Sequence, residues 1–150
     1  MKRILLTILI ILSMITTVLV ICPSITSRAI DVSLTSSYKT DSSDNINENP
    51  FTINNTGVMN VYVKTTVLIT GNEDNYYYTL NSYWKLESTN HHDTSTQYTF
   101  LYLKALHPKE TTHLFKTIFV LDNSSIEISV SVQAIESRFF SSAEDAFRYY

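Results

Sequence analysis

Cysteine is almost missing from this sequence, and its one copy, Cys22, directly follows the N-terminal apolar run. The rest of the chain therefore has no internal disulfide and depends on packing for its stability. Glycine is nearly as scarce, with Gly57 and Gly71 the only two in 150 residues. That excludes glycine-rich phosphate-cradling loops and the Gly-x-Ser-x-Gly nucleophile elbow. Histidine occurs four times but never as His-Glu-x-x-His, the helical spacing that aims two imidazoles at one ion. Positive charge is also thin. Setting aside Lys2, Arg3 and Arg28 leaves eight of the 11 basic residues against all 14 acidic ones, a net charge of −6. Nucleic acid is excluded as a partner on this ground, because phosphate binding needs clustered cations.

What the sequence does contain begins with Lys2 and Arg3, followed by an apolar run from Ile4 to Ile21. A basic start, an apolar core and the small residues of Ser27-Arg28-Ala29 read as an export signal over residues 1–29, cleaved between Ala29 and Ile30 by a signal peptidase. The run is also long enough to remain as an uncleaved membrane anchor. In either case the remaining chain, residues 30–150, forms one domain that is secreted or held at the cell surface.

Within that domain the apolar period is two. Val61, Val63, Thr65, Val67 and Ile69 alternate with Tyr62, Lys64, Thr66 and Leu68, and Ile126, Ile128, Val130, Val132 and Ala134 alternate with Glu127, Ser129, Ser131 and Gln133. Such alternation with β-branched residues predicts strands with one buried face. Tyr98 to Lys104 and His113 to Leu121 also read as strands, with Thr99, Leu101 and Leu103, or Leu114, Ile118 and Val120, able to line one face. Shorter candidates are Ile30 to Tyr38, Phe51 to Ile53, Tyr76 to Leu80 and Tyr83 to Glu87. The polar stretch from Asp41 to Asn49 reads as a loop, and turn residues cluster at Asn55-Thr56-Gly57, Gly71 to Asn75, Asn90 to Asp93, His107 to Glu110 and Asp122 to Ser125. About seven short strands at this spacing predict an all-β domain, an antiparallel β-sandwich of jelly-roll or immunoglobulin-like type. Ser141 and Ser142, each three residues before an acidic side chain, predict a short helix from Ser142 to Tyr149.

Three stretches taken together resemble the camelysin and TasA-type group, the alternate-signal-mediated exported proteins of Gram-positive bacteria. They are Asn49 to Gly71, with its Asn-Thr-Gly turn and long strand; Tyr98 to Phe115, with an aromatic strand and a Pro108-Lys109-Glu110 turn where glycine is usual; and Ile128 to Phe147, an alternating strand followed by an Ala-Glu-Asp-Ala helix. The resemblance implies a biofilm-matrix fibre subunit that pairs strands with itself or a related matrix protein. Camelysin's description as a metal-dependent peptidase adds a weaker reading, for which His91, His92 and Asp93 are the candidate ligands. The residues themselves supply no catalytic constellation and no cofactor-binding motif, so the domain reads as a non-enzyme. A third reading, a monomeric adhesin that binds cell-wall or matrix polymer, rests on the crowded aromatics Tyr76, Tyr77, Tyr78, Tyr83 and Trp84. Neighbouring aromatics on a strand face opposite sides, so some of this set should be exposed as a contact surface.

Overall fold

A computed structural model describes residues 30–36, 46–121 and 125–148, with the backbone alone for 36 and 46–48. The expected signal segment 1–29 and its cleavage residue Ala29 lie outside them, and Ile30 is exposed. No helix among the described residues is long and apolar enough to cross a membrane.

The domain is all-β, with ten strands among the described residues where sequence periodicity predicts about seven: β1 (Val32–Ser36), β2 (Ile46–Glu48), β3 (Phe51–Asn55), β4 (Val61–Thr70), β5 (Tyr76–Leu80), β6 (Trp84–His92), β7 (Ser95–Leu106), β8 (Thr111–His113), β9 (Phe115–Val120) and β10 (Glu127–Glu136). They form a four-stranded sheet ordered β10-β4-β7-β6 and two three-stranded sheets, β1-β3-β8 and β2-β9-β5. Every pairing is antiparallel.

Part of the higher strand number comes from one interruption. Glu48 opposes Thr117 and Thr52 opposes His113, so the register of β2 on β9 runs into that of β3 on β8 without slipping. Between them Asn49 adopts φ 48° and Pro50 has no N–H to give the ladder. The break is bridged by Asn49 N donating to Lys116 O at 3.0 Å and Leu114 N donating to Phe51 O at 3.1 Å. Residues 46–48, expected within a loop, pair because they extend this register.

One apolar core is shared by all three sheets. Val61, Val63, Thr65, Val67 and Ile69 of β4 are each fully buried, which is the face the alternation selects. Ile128, Val130, Val132 and Ala134 of β10 pack on the same core while staying half-buried, because β10 is an outer strand of its sheet. Leu114, Ile118 and Val120 are buried as expected. In β7 the expected face is reversed. Tyr98, Phe100 and Tyr102 enter the core, whereas Leu103 is exposed and Leu101 packs on the opposite side against α1 (Ala143–Ala146). Aromatic edges fill the centre: Phe100 and Phe115 lie 5.5 Å apart with their rings nearly perpendicular, and Tyr78 is 5.2 Å from Phe115 and 5.8 Å from Phe100.

The helix begins where the capping pattern places it. Ser142 Oγ accepts from Asp145 N at 3.1 Å, and Glu144 and Asp145 put negative charge in the first turn. It stops at Ala146, because Phe147 leaves helical geometry with φ −100° and ψ 6°. Ala143, Ala146 and Phe147 close over Tyr62 and Leu101, and the Lys64 ammonium sits 4.7 Å from the Phe147 ring centroid. This cover makes both faces of β7 apolar.

The His107 to Glu110 turn closes with Glu110 N donating to His107 O at 3.0 Å, and Lys109 takes φ 65° at its third position. Pro108 before a left-handed residue is the type II arrangement, which favours glycine at that place. Lys109→Gly is therefore expected to stabilise the fold by about 1 kcal/mol, the cost of a left-handed side-chain-bearing residue. A urea midpoint that fails to rise would show that the lysine carries no such strain.

Candidate functional site

Two connections meet at one end of the four-stranded sheet and enclose an open hollow of about 640 Å³, lined among others by Gly71, Glu73, His91, Asp93 and Thr96. Gly71 adopts φ 138°, and a Cβ on it would lie 3.0 Å from Ile126 Cγ2 and 3.3 Å from Ser125 O. Glycine is required there on both counts. Its N–H donates to Thr94 O at 2.9 Å, tying the β4–β5 connection to the β6–β7 turn. Asn72 then caps a single 3-10 turn, accepting from Asp74 N at 3.1 Å and so placing Glu73 over the hollow.

Glu73 is the centre of the polar contacts. Its Oε1 accepts from Thr96 Oγ1 and lies 2.5 Å from His91 Nδ1. The Thr96 hydroxyl above all holds the carboxyl below its ordinary range; burial opposes it, and His91 adds to the lowering. As an acceptor-only carboxylate it draws the His91 proton onto Nδ1. Behind it the buried hydroxyls of Tyr76 and Tyr98 are bonded at 2.9 Å. Burial pushes both phenols up.

The histidines expected in a loop lie instead on β6. That strand continues to a tight turn, with Asn90 opposite Gln97, His91 opposite Thr96 and His92 opposite Ser95. His91 bonds Glu73, and His92 beside it also lines the hollow. His107 pairs with Asn60 Oδ1 at 3.0 Å and His113 with Thr52 Oγ1 at 3.0 Å. Among the described residues no group of three or more His, Cys, Asp or Glu side chains is placed to hold a metal ion.

The aromatic set divides by burial. Tyr76 and Trp84 are buried, and Tyr78 packs against the core. The Trp84 indole lies 5.1 Å from Tyr102 and donates through Nε1 to Thr112 Oγ1 at 3.2 Å. Burial raises the Tyr78 phenol to about 12. Only Tyr77, 59% exposed, and Tyr83, 51% exposed, offer ring surface to solvent. Tyr77 stacks on Phe119 of the neighbouring strand with centroids 6.4 Å apart. Tyr83 takes φ 70°, uncommon for so large a residue, and the Lys104 ammonium lies 3.4 Å from its ring centroid. That ammonium holds the Tyr83 phenol below its usual value. Phe119, Lys104, Glu73 and Thr96 are the participants that sequence reasoning missed. Cross-strand register brings Phe119 to Tyr77 and Thr96 to His91, and no local pattern announces either pairing.

The sheet margins complete the surface. Among the described residues β1, β2, β5, β6, β8 and β10 each have a hydrogen-bonded neighbour on one side only. The chain matches no family model, no curated protein and no solved structure. Its functional reading rests on its own geometry.

Proposed function

We propose that the chain is an exported cell-surface structural protein of the camelysin and TasA-type group, its domain an antiparallel β-sandwich of jelly-roll or immunoglobulin-like type, acting by strand-mediated assembly with copies of itself or a related matrix protein. The sandwich reading is supported by the shared core and by the unslipped register joining the two three-stranded sheets into one layer. Family resemblance is supported by where its three stretches fall. The Asn-Thr-Gly turn is built around Asn55, and the Ala-Glu-Asp-Ala segment is the capped helix.

The observation that carries the assembly reading is β1. It pairs with β3 alone over five residues, and its apolar side chains Val32 and Leu34 are only partly buried. By sequence, the polar segment 37–45 separates it from the body. A strand so placed can leave its own sheet and add to a neighbour's, with backbone hydrogen bonds giving affinity. The full chain is expected to show a light-scattering mass that grows with concentration, and Leu34→Asp to reduce that growth at least tenfold while β-type circular dichroism persists. Unchanged growth in the variant would sink strand exchange through β1.

A second reading is favoured by Tyr77 and Phe119. Their stacked, partly exposed rings form a platform suited to a cell-wall or matrix polymer, the monomeric adhesin alternative.

A further inference from the structure

The outer strands of five residues or more, β1, β5, β6 and β10, are not equally protected against pairing with another chain. β6 carries Lys85 and Glu87 and a register irregularity between Leu86 and Ser88, and β5 has one between Thr79 and Leu80. β1 offers five paired residues. Charges, bulges and shortness are the devices that blunt a sheet edge. β10 is long and unbulged, and its charges, Glu127 and Glu136, stand only at its two ends. Its ladder on β4 runs through ten consecutive pairs, from Glu127 opposite Thr70 to Glu136 opposite Val61, without a shift. No charge, proline or glycine interrupts it between the two terminal glutamates. Its core-side residues Ile128, Val130, Val132 and Ala134 stay half-buried, leaving apolar surface that one more strand would cover.

We infer that β10 is a self-association edge, pairing antiparallel with β10 of a second copy about a two-fold axis to give a continuous eight-stranded sheet. This rests on the assembly reading above and adds to strand exchange through β1 a second contact, edge to edge through β10. The second copy follows from charge and parity. A two-fold axis perpendicular to the sheet keeps each face on its own side, so core-side residues meet core-side residues across the seam. Glu127 faces outward and Glu136, by parity, inward. The one register that sets them opposite each other is therefore forbidden. Registers centred on a residue are allowed, and those centred on Ser131 or on Val132 keep the most of the ten-residue strand paired. Both place Val130, Val132 and Ala134 against their own kind and Ser129, Ser131 and Gln133 on the wet face, the pairing of like with like that stabilises adjacent strands.

The test uses the full chain carrying Cys22→Ser, expressed in a bacterial host. Ser131→Cys is treated with a short bifunctional thiol reagent, since either register brings the two positions to within ~5–8 Å between backbones. Ser88→Cys, on bulged β6, is the control. The expected result is a covalent dimer from Ser131→Cys, at least tenfold less from Ser88→Cys, and loss of the dimer when Ser131→Lys and Gln133→Lys are combined with circular dichroism unchanged. Assemblies detected by light scattering with no cross-link at position 131, or equal linkage from both sites, would overturn the β10 assignment and leave assembly standing. A single-chain mass at every concentration and pH would overturn both.

Discussion

Replacing Asn55 by aspartate should cost the fold about 4 kcal/mol at neutral pH, the range seen when a buried polar network is left with an unpaired charge. Asn55 is fully buried at the end of β3. Its Nδ2 donates to Met59 O at 2.8 Å and to Leu106 O at 2.9 Å, and its Oδ1 accepts from Gly57 N at 3.0 Å. Its backbone is engaged as well, accepting from Lys109 N and donating to Glu110 O. One side chain thus fastens the turn before β4 to the end of β7. A carboxylate keeps the bond from Gly57 but turns its second oxygen toward two carbonyl oxygens, with no donor between them. The penalty has a pH sign. Burial beside carbonyls raises the introduced carboxyl's folded value above its unfolded value of about 3.9. The variant should therefore be least compromised below about pH 4, where the group is neutral in both states, and lose stability as pH rises through the raised value. Denaturant midpoints at pH 3.5 and 7 check this, and a gap between wild type and variant that stays constant across that interval would refute it.

Phe115→Ala should be comparably damaging, at about 4 kcal/mol, as expected for emptying a fully buried aromatic site. The Phe115 ring is packed by Phe51 at 6.0 Å, Tyr78 at 5.2 Å and Phe100 at 5.5 Å. These neighbours come from three different ladders, so no single movement can close the hole. Phe115→Leu should recover more than half of the loss. Full retention of the thermal midpoint in the alanine variant would mean that the centre of the domain is not where these rings meet.

How far the sequence could be read depended on how many faces of a strand are wet. β4 shows it at its clearest, because Val61, Val63, Thr65, Val67 and Ile69 share one face and the other is mixed. β7 misled because α1 buries its outer side too. With both sides apolar, period two no longer tells inside from outside, and the bulkier Tyr98, Phe100 and Tyr102 take the core. The helix start was legible from Ser142 and Asp145, which lie within one turn. The contacts of Glu73 were not, since its partners His91 and Thr96 are brought to it by a hairpin register and a connection 18 and 23 residues away.

The unslipped ladder of residues 46–55 on 111–120 also fixes an order of events. β6 and β7 are joined by a tight turn and can zip locally, and β4 needs only to close on β7. The 46–55 segment must instead wait for partners some 60 residues further along, a loop whose closure entropy is paid before any bond forms. β1, whose ladder on β3 closes over the much shorter span from Ser36 to Phe51, can pair with β3 before those partners arrive. During synthesis the far edge of β3 is thus the last to be covered. For that interval the groove beside β3 stands open to whichever matching strand, its own or a neighbour's, arrives first.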